Sequence, residues 1–245
     1  MKRYLQKIAL NTLPVSLLRN RLMCHAHNCM NTPIQQPLID VSAIARTDAK
    51  TGIQRVVRNL YQQLLLAPPF GYQICPVMAA RKQFYRHIPT NFLRHPNLTP
   101  TAKPIHIRAG DIFLGLDLSA HIIPHRLPEM WEWKNQGVRM SFFIYDLLPV
   151  LQPQWFNPKA TQNFHRWLRA MAILADDAIA ILHIVQANFG AWMQKHYGPT
   201  QAGLPCATIP LGAELDPHPA SQPVDVYRRA VLQKSPLQSS SQGST

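Results

Sequence analysis

Six short runs built almost wholly of apolar residues, set between longer amphipathic stretches, constrain this chain more than any other feature. They are PLIDVS (37–42), YQICPVMA (72–79), DIFLGLDL (111–118), VRMSFFIYD (138–146), AIAIL (178–182) and CATIPLG (206–212). Runs this short, without strict alternation, suit strands buried on both faces. Between them the spacing predicts helices. One covers about 52–66, with Ile53, Val56, Val57, Leu60 and Leu64 on one face. A second, 127–137, ends at Gly137. A third, 158–177, starts at Pro158 and carries Phe164, Leu168, Met171, Ala172 and Ala175 on one stripe; a fourth covers about 184–197. Residues 43–50 and 81–110 read as polar and basic loops. Strands alternating with amphipathic helices predict an α/β fold, a doubly wound and mostly parallel Rossmann-like sheet with right-handed crossovers.

Composition divides the chain into three parts. Residues 37–215 carry the alternating pattern. Residues 1–36 form a basic amphipathic arm, in which Lys2, Arg3, Lys7, Arg19 and Arg21 interleave with leucines. The arm suits a membrane-surface helix or a solvated segment packed on the domain, and its residues alone do not decide between them. Residues 216–245 are rich in Pro, Ser and Gln and read as a disordered tail. No apolar run reaches the roughly 18 residues of a membrane-spanning helix, and Asn11, Thr12 and Pro14 break the pattern of a secretory signal. Four irregularly spaced cysteines fit a reduced, cytoplasmic setting. Two of them lie in CHAHNC (24–29), which is too cramped to surround one zinc ion.

Charge is distributed unevenly. Up to Arg126 there are 16 Lys/Arg against 4 Asp/Glu, a balance of +12; from Leu127 onward there are 9 against 8, a balance of +1. A field this one-sided implies an anionic partner. Basic and aromatic residues interleave at 81–108, as in single-strand nucleic-acid binders. No nucleic-acid-binding signature accompanies them, so nucleic acid is not the expected partner.

Doubly wound sheets bind ligands beyond the carboxyl ends of their strands. That rule selects Asp40-Val41-Ser42, Asp117, Tyr145-Asp146-Leu147 and Leu211-Gly212-Ala213. The helix opening at Thr51-Gly52 adds converging N–H groups that favour an anion. Arg55 lies in that first turn, where a cation typically costs a few tenths to about 1 kcal/mol against the helix dipole. Arg55 and Arg58 are therefore candidate phosphate ligands, the alternative being an exposed pair that meets Asp48 or water. Asp146 follows the most hydrophobic strand; it is placed either for chemistry or to cap the next turn. Neither the G-x-G-x-x-G nor the G-x-x-x-x-G-K fingerprint is present.

Taken together, DVS…TGIQRVVRNL, GDIFLGLDLS, GVRMSFFIYDLLPVLQPQWF, the Phe164–Ile181 segment and IPLGAEL resemble the amino-terminal half of bacterial glycosyltransferases. The nearest are mannosyl- or rhamnosyltransferase-like enzymes of surface-polysaccharide assembly, matched from about Pro37 to Leu215. The resemblance implies the GT-B fold, metal-independent retaining transfer without a cofactor, and a nucleotide-sugar donor as co-substrate. It implies a lipid-linked or polysaccharide acceptor and a place at the inner face of the cytoplasmic membrane. It sets Tyr145 and Asp146 at the catalytic position, where relatives carry His-Asp. It sets Thr51, Gly52, Arg55, Arg58, Asp117 and Gly212 near substrate or phosphate. Leu182-His183 stand where relatives commonly carry a serine. Glu129, Glu132 and Glu214 include no pair spaced as E-x7-E, the usual donor motif. The chain therefore reads as a truncated acceptor-side half, inactive alone or working with a separate donor-domain chain. The other reading is a non-enzymatic module for anionic polymer or nucleic acid.

Overall fold

The computed structural model describes residues 35–69, 71–94, 104–198 and 203–209. The expectations for the arm, the CHAHNC segment, Gly212 and the tail lie outside the described residues. Seven strands form one sheet: β1 (Pro37–Asp40), β2 (Cys75–Ala80), β3 (Gln83–His87), β4 (Ile112–Gly115), β5 (Arg139–Ile144), β6 (Asp177–Ala180) and β7 (Cys206–Thr208). Their order is β3-β2-β1-β4-β5-β6-β7, and every pairing is parallel except β2 with β3. The chain leaves β1 toward β2 on one side and returns to β4 on the other. The topological switch thus falls between β1 and β4. The mixed α/β, Rossmann-like architecture is the one the apolar runs predict.

Helices are α1 (Ser42–Arg46), α2 (Gly52–Leu66), α3 (Leu127–Asn135), α4 (Leu148–Leu151), α5 (Pro158–Leu174) and α6 (His183–Tyr197). Strand side chains alternate between two cores. Leu38, Phe113, Met140, Phe142 and Ile144 face α3, α5 and α6, whose Trp133, Trp167, Phe189 and Met193 complete that side. Ile39, Ile112, Leu114, Phe143 and Ile179 share the other core with Val57, Leu60, Tyr61 and Leu64 of α2. Each wholly buried leucine- or phenylalanine-sized side chain contributes roughly 1.5–3 kcal/mol, so both faces are anchored by burial.

Two local expectations are corrected. The polar stretch 43–50 begins inside α1. The supposed basic loop contains β3, an edge strand with Tyr85 turned into the core at 1% exposure. Gly115 is demanded by packing: a Cβ there would lie 2.5 Å from Phe142 Cδ1 of the neighbouring strand.

Candidate functional site

At the switch, a buried polar network closes the crevice between β1 and β4. Asp40 ends β1 and is fully buried. Its Oδ1 accepts hydrogen bonds from Ser42 N (3.0 Å) and Ser42 Oγ, and Oδ2 accepts one from Tyr85 Oη at 3.2 Å. Ser42 Oγ accepts from Ala79 N at 2.9 Å, tying the start of α1 to β2. Burial pushes the Asp40 pKa from 3.8 up to about 7; the Ser42 hydroxyl pulls it back and the Asp117 charge adds to the rise. Ser119 Oγ is buried without a well-formed hydrogen bond, yet it lies close enough to favour the ionised acid.

Asp117 follows β4 and crosses to α1. Its Oδ2 accepts from Ile44 N at 2.6 Å, and the backbone of Leu118 and Ala43 also bonds to it. Burial raises its pKa, and those backbone bonds oppose the rise. The N–H groups of α1 are therefore met from within the chain. Asp117 thus braces the end of β4 against α1.

Tyr145 is likewise bonded within the chain. It is 4% exposed, and its Oη donates to Leu116 O at 2.6 Å. Burial, and then the Asp117 charge, hold its hydroxyl well above the ordinary value, so it keeps its proton. Its neighbour Asp146 is half-buried at the end of β5, and its Oδ1 accepts from Leu148 N at 3.0 Å as α4 begins. One of its oxygens thus caps the turn, and the residue lies just past the carboxyl end of β5.

The start of α2 is built by a capping box. Thr51 Oγ1 accepts from Gln54 N (3.3 Å), Gln54 Oε1 accepts from Thr51 N (3.5 Å), and Gln54 Nε2 donates to Thr47 O (2.7 Å). Gly52 is exposed, and a Cβ there would meet nothing within 4 Å. No contact among the described residues calls for glycine at that position. The two arginines part company. Arg58 pairs with Asp48 and, by that hydrogen bond, holds the Asp48 carboxyl below its usual range. Arg55 is exposed, with no side-chain hydrogen bond or ion pair among the described residues.

Sequence reasoning passed over a group of cations beyond the ends of β2 and β4. Arg46, Arg81, His121, His125 and Arg126 gather there, with Arg166 of α5 near them. The sequence signals were the +12 balance of the first 126 residues and the basic stretch 81–108, which contains Arg81; neither gave the grouping. Apolar side chains also stand exposed past β5 and β6: Leu148, Leu151, Trp155, Leu182 and Ile184. A cleft of about 520 Å³, lined by Gly110, Lys134, Gly137, Arg139 and Asp176, opens at the opposite ends of the strands. There Lys134 pairs with Asp176, and Arg139 Nε donates to Asp177 at 3.0 Å, so structural ion pairs already occupy its charged groups. Among the described residues no three His, Cys, Asp or Glu side chains could hold a metal ion, and no helix is long and apolar enough to cross a membrane.

The open groups at the ligand edge are a carboxylate, a lone helix-start arginine and a cationic rim. They can orient a polar, negatively charged ligand over the strand ends. No family model matches the chain, and no solved structure matches it. Curated proteins do match. A serotype-specific mannosyltransferase WbdA from Escherichia coli is 28% identical over 194 residues, covering 78% of this chain and 24% of the relative. A second protein of that description, also from Escherichia coli, is 29% identical over 197 residues. The chain spans about a quarter of the length of the curated relatives it matches. Over that span it is mannosyltransferase-like.

Proposed function

We propose that residues 37–215 form the acceptor side of a GT-B glycosyltransferase that moves a hexose, mannose first among the candidates, from a nucleotide sugar. The acceptor is a lipid-linked or polysaccharide chain at the inner face of the cytoplasmic membrane. The 28% identity over 194 residues to a mannosyltransferase carries this reading. The Rossmann-like sheet, with its switch between β1 and β4, supports it. Asp146 holds the donor sugar in register. Arg55 opposes the charge that builds on the departing nucleoside diphosphate, a role for which an unpaired cation is suited. The donor-gripping half lies outside residues 37–215, in the same polypeptide or in another. Residues 1–23 supply the contact with anionic lipid.

The test is a transfer assay with labelled nucleotide-activated mannose and a mannose oligosaccharide. The purified chain is assayed alone and with a donor-binding domain from a relative added. The oligosaccharide should bind the chain alone, and transfer should require the added domain. Asp146→Asn keeps the Oδ1 that accepts from Leu148 N and should cut transfer on the order of a hundred-fold, the usual effect of removing one positioned polar contact. Neither saccharide binding nor transfer in the mixture, or full transfer by Asp146→Asn, refutes the reading.

A further inference from the structure

We infer that the groove between the end of α2 and the turn Phe92–Arg94 is the docking site of this chain's own basic arm, taking apolar side chains from residues 14–23. The groove lies at the opposite edge of the sheet from the strand ends that take ligands, because α2 runs back to the start of β2 and β3 runs antiparallel to β2. Its volume is about 330 Å³. Leu65 and Leu66 of α2 form one wall, and Leu93 and Arg94 the other. Tyr61 joins them: it is fully buried, its Oη donates to Thr90 O at 2.9 Å, and its ring centre lies 5.1 Å from that of Phe92. The walls are therefore fixed. Leu66 is 78% exposed, more than any other large apolar side chain among the described residues. A concave apolar surface of this kind receives the apolar face of an amphipathic helix.

Three observations select the arm as the occupant. The first is where it enters. Gln35 pairs with Tyr72, and its O accepts from Gln73 N at 3.1 Å. Tyr72 N donates in turn to Pro69 O at 3.1 Å, three residues past the end of α2. Residues 24–34 join that point to Met23, and a chain of that length spans up to about 35–40 Å when extended. Residues 14–23 are thus within reach of the groove. The second observation is the pattern of the arm. Pro14 suits the first position of a helix, and Val15, Leu18 and Leu22 follow at the spacing of one helical face. Residues 95–103, which leave the groove at Arg94, offer one large aliphatic side chain, Leu98. The third is charge. Helix α2 has no basic residue in its last turn, so the negative end of its dipole has no cation from its own sequence. Arg19 and Arg21 flank Leu18 and Leu22 and can supply it. Arg94 carries the same sign, which sets the cations of the arm on the α2 side.

Docking gives the arm two destinations. The leucines that fill the groove are those that enter anionic lipid, and they cannot do both at once. The groove therefore opposes membrane contact and sets how readily the arm is released. That consequence rests on the lipid contact assigned above to residues 1–23; the docking itself does not, and neither depends on sugar transfer.

The test uses the full 245-residue chain, with Leu18→Ser/Leu22→Ser in the arm and Leu66→Asn in the groove as variants. Melting curves verify that both variants fold. In hydrogen exchange without lipid, the amides of 62–66 and 92–94 should exchange roughly ten-fold faster in the arm variant, the equilibrium worth of burying one leucine-sized side chain. The amides of β1 and β4 should keep their parental rates, and protection at the groove should not depend on protein concentration. The second readout is binding to phosphatidylglycerol vesicles. The arm variant should bind more weakly, and Leu66→Asn should bind roughly three- to ten-fold more tightly, since its arm no longer has to leave the groove. The assignment is overturned if the groove amides exchange alike in the parent and the arm variant. It is overturned if their protection disappears on dilution together with a dimer in sedimentation, which gives the groove to a second copy. It is overturned as well if Leu66→Asn weakens vesicle binding, which makes the groove itself a lipid contact. Vesicles that bind no form of the chain remove the lipid role of residues 1–23, and the exchange comparison still decides the docking.

Discussion

Replacing Asp40 by asparagine isolates the cost of burying an ionisable group at the end of β1. The pKa moves from 3.8 to about 7, roughly three units, and at about 1.4 kcal/mol per unit the net shift corresponds to about 4 kcal/mol. The sign follows from linkage. The folded protein holds this proton more tightly than the unfolded chain does. The contribution is thus fully present below pH 3.8 and is lost as pH rises through about 7. The asparagine side chain cannot ionise. Its Oδ1 can still accept from Ser42 N and Ser42 Oγ, and its Nδ2 can donate to Tyr85 Oη. The difference in unfolding free energy between Asp40→Asn and the parent should shift in favour of the variant as pH rises from about 5 to about 8. The shift should be about 3 kcal/mol. Urea denaturation followed by fluorescence of the buried Trp133, Trp167 and Trp192 reads it directly. Titrations common to both proteins cancel in the difference. A difference that stays flat across this range would refute the argument, because it would mean that Asp40 does not hold its proton in the folded state.

Gly115→Ala should destabilise the fold by about 1–3 kcal/mol through overpacking against Phe142, and Phe142→Leu in the same chain should recover part of the loss. Parental stability in the Gly115→Ala variant would show that β4 and β5 are not packed this closely. Arg55→Gln should leave unliganded stability level or raise it by up to about 1 kcal/mol, since it removes a cation from the positive end of the α2 dipole. Transfer by the completed enzyme should fall with it; a drop in apo stability with transfer intact would make Arg55 structural. Arg58→Gln should cost about 0–1 kcal/mol through its ion pair with Asp48 and leave transfer in place, as enzyme assays with the same completed enzyme would check. Tyr145→Phe leaves Leu116 O buried without that donor and should cost about 1–3 kcal/mol in chemical denaturation, with no change in ligand affinity.

The strands and long helices were legible because their signals are local. Helix α2 runs over the residues its pattern predicts, since a Thr51–Gln54 capping box starts it and Pro68 and Pro69 follow its end. β3 escaped notice because QFYRH exposes two of its five residues and buries only Tyr85. Helix α1 escaped because it is five residues long and is braced by Asp117, 73 positions away. The same distance hid the site. The position of Asp117 after a strand was readable, and the direction its carboxylate turns was not. Tyr145 likewise finds its acceptor 29 residues back in the chain. Arg55 and Arg58 looked equivalent in sequence and were separated by a single acidic neighbour at position 48. The cationic rim was present as a net charge and, for Arg81, as part of the basic stretch 81–108, because its residues meet across several elements of the fold.

The bonds of Asp117 to α1 and of Ser42 to β2 have a mechanical consequence. In each case one side chain bridges two elements that a ligand would otherwise be able to prise apart, so the seam at the centre of the sheet is stitched shut. The amides of Ser42, Ile44 and Ala79, each bonded into that stitching, should exchange with solvent only when the whole sheet opens. Those of the exposed segment 47–50 should exchange through small local openings. The sheet then behaves as a stiff plate, and any closing over a bound molecule is left to the loops along its ligand edge.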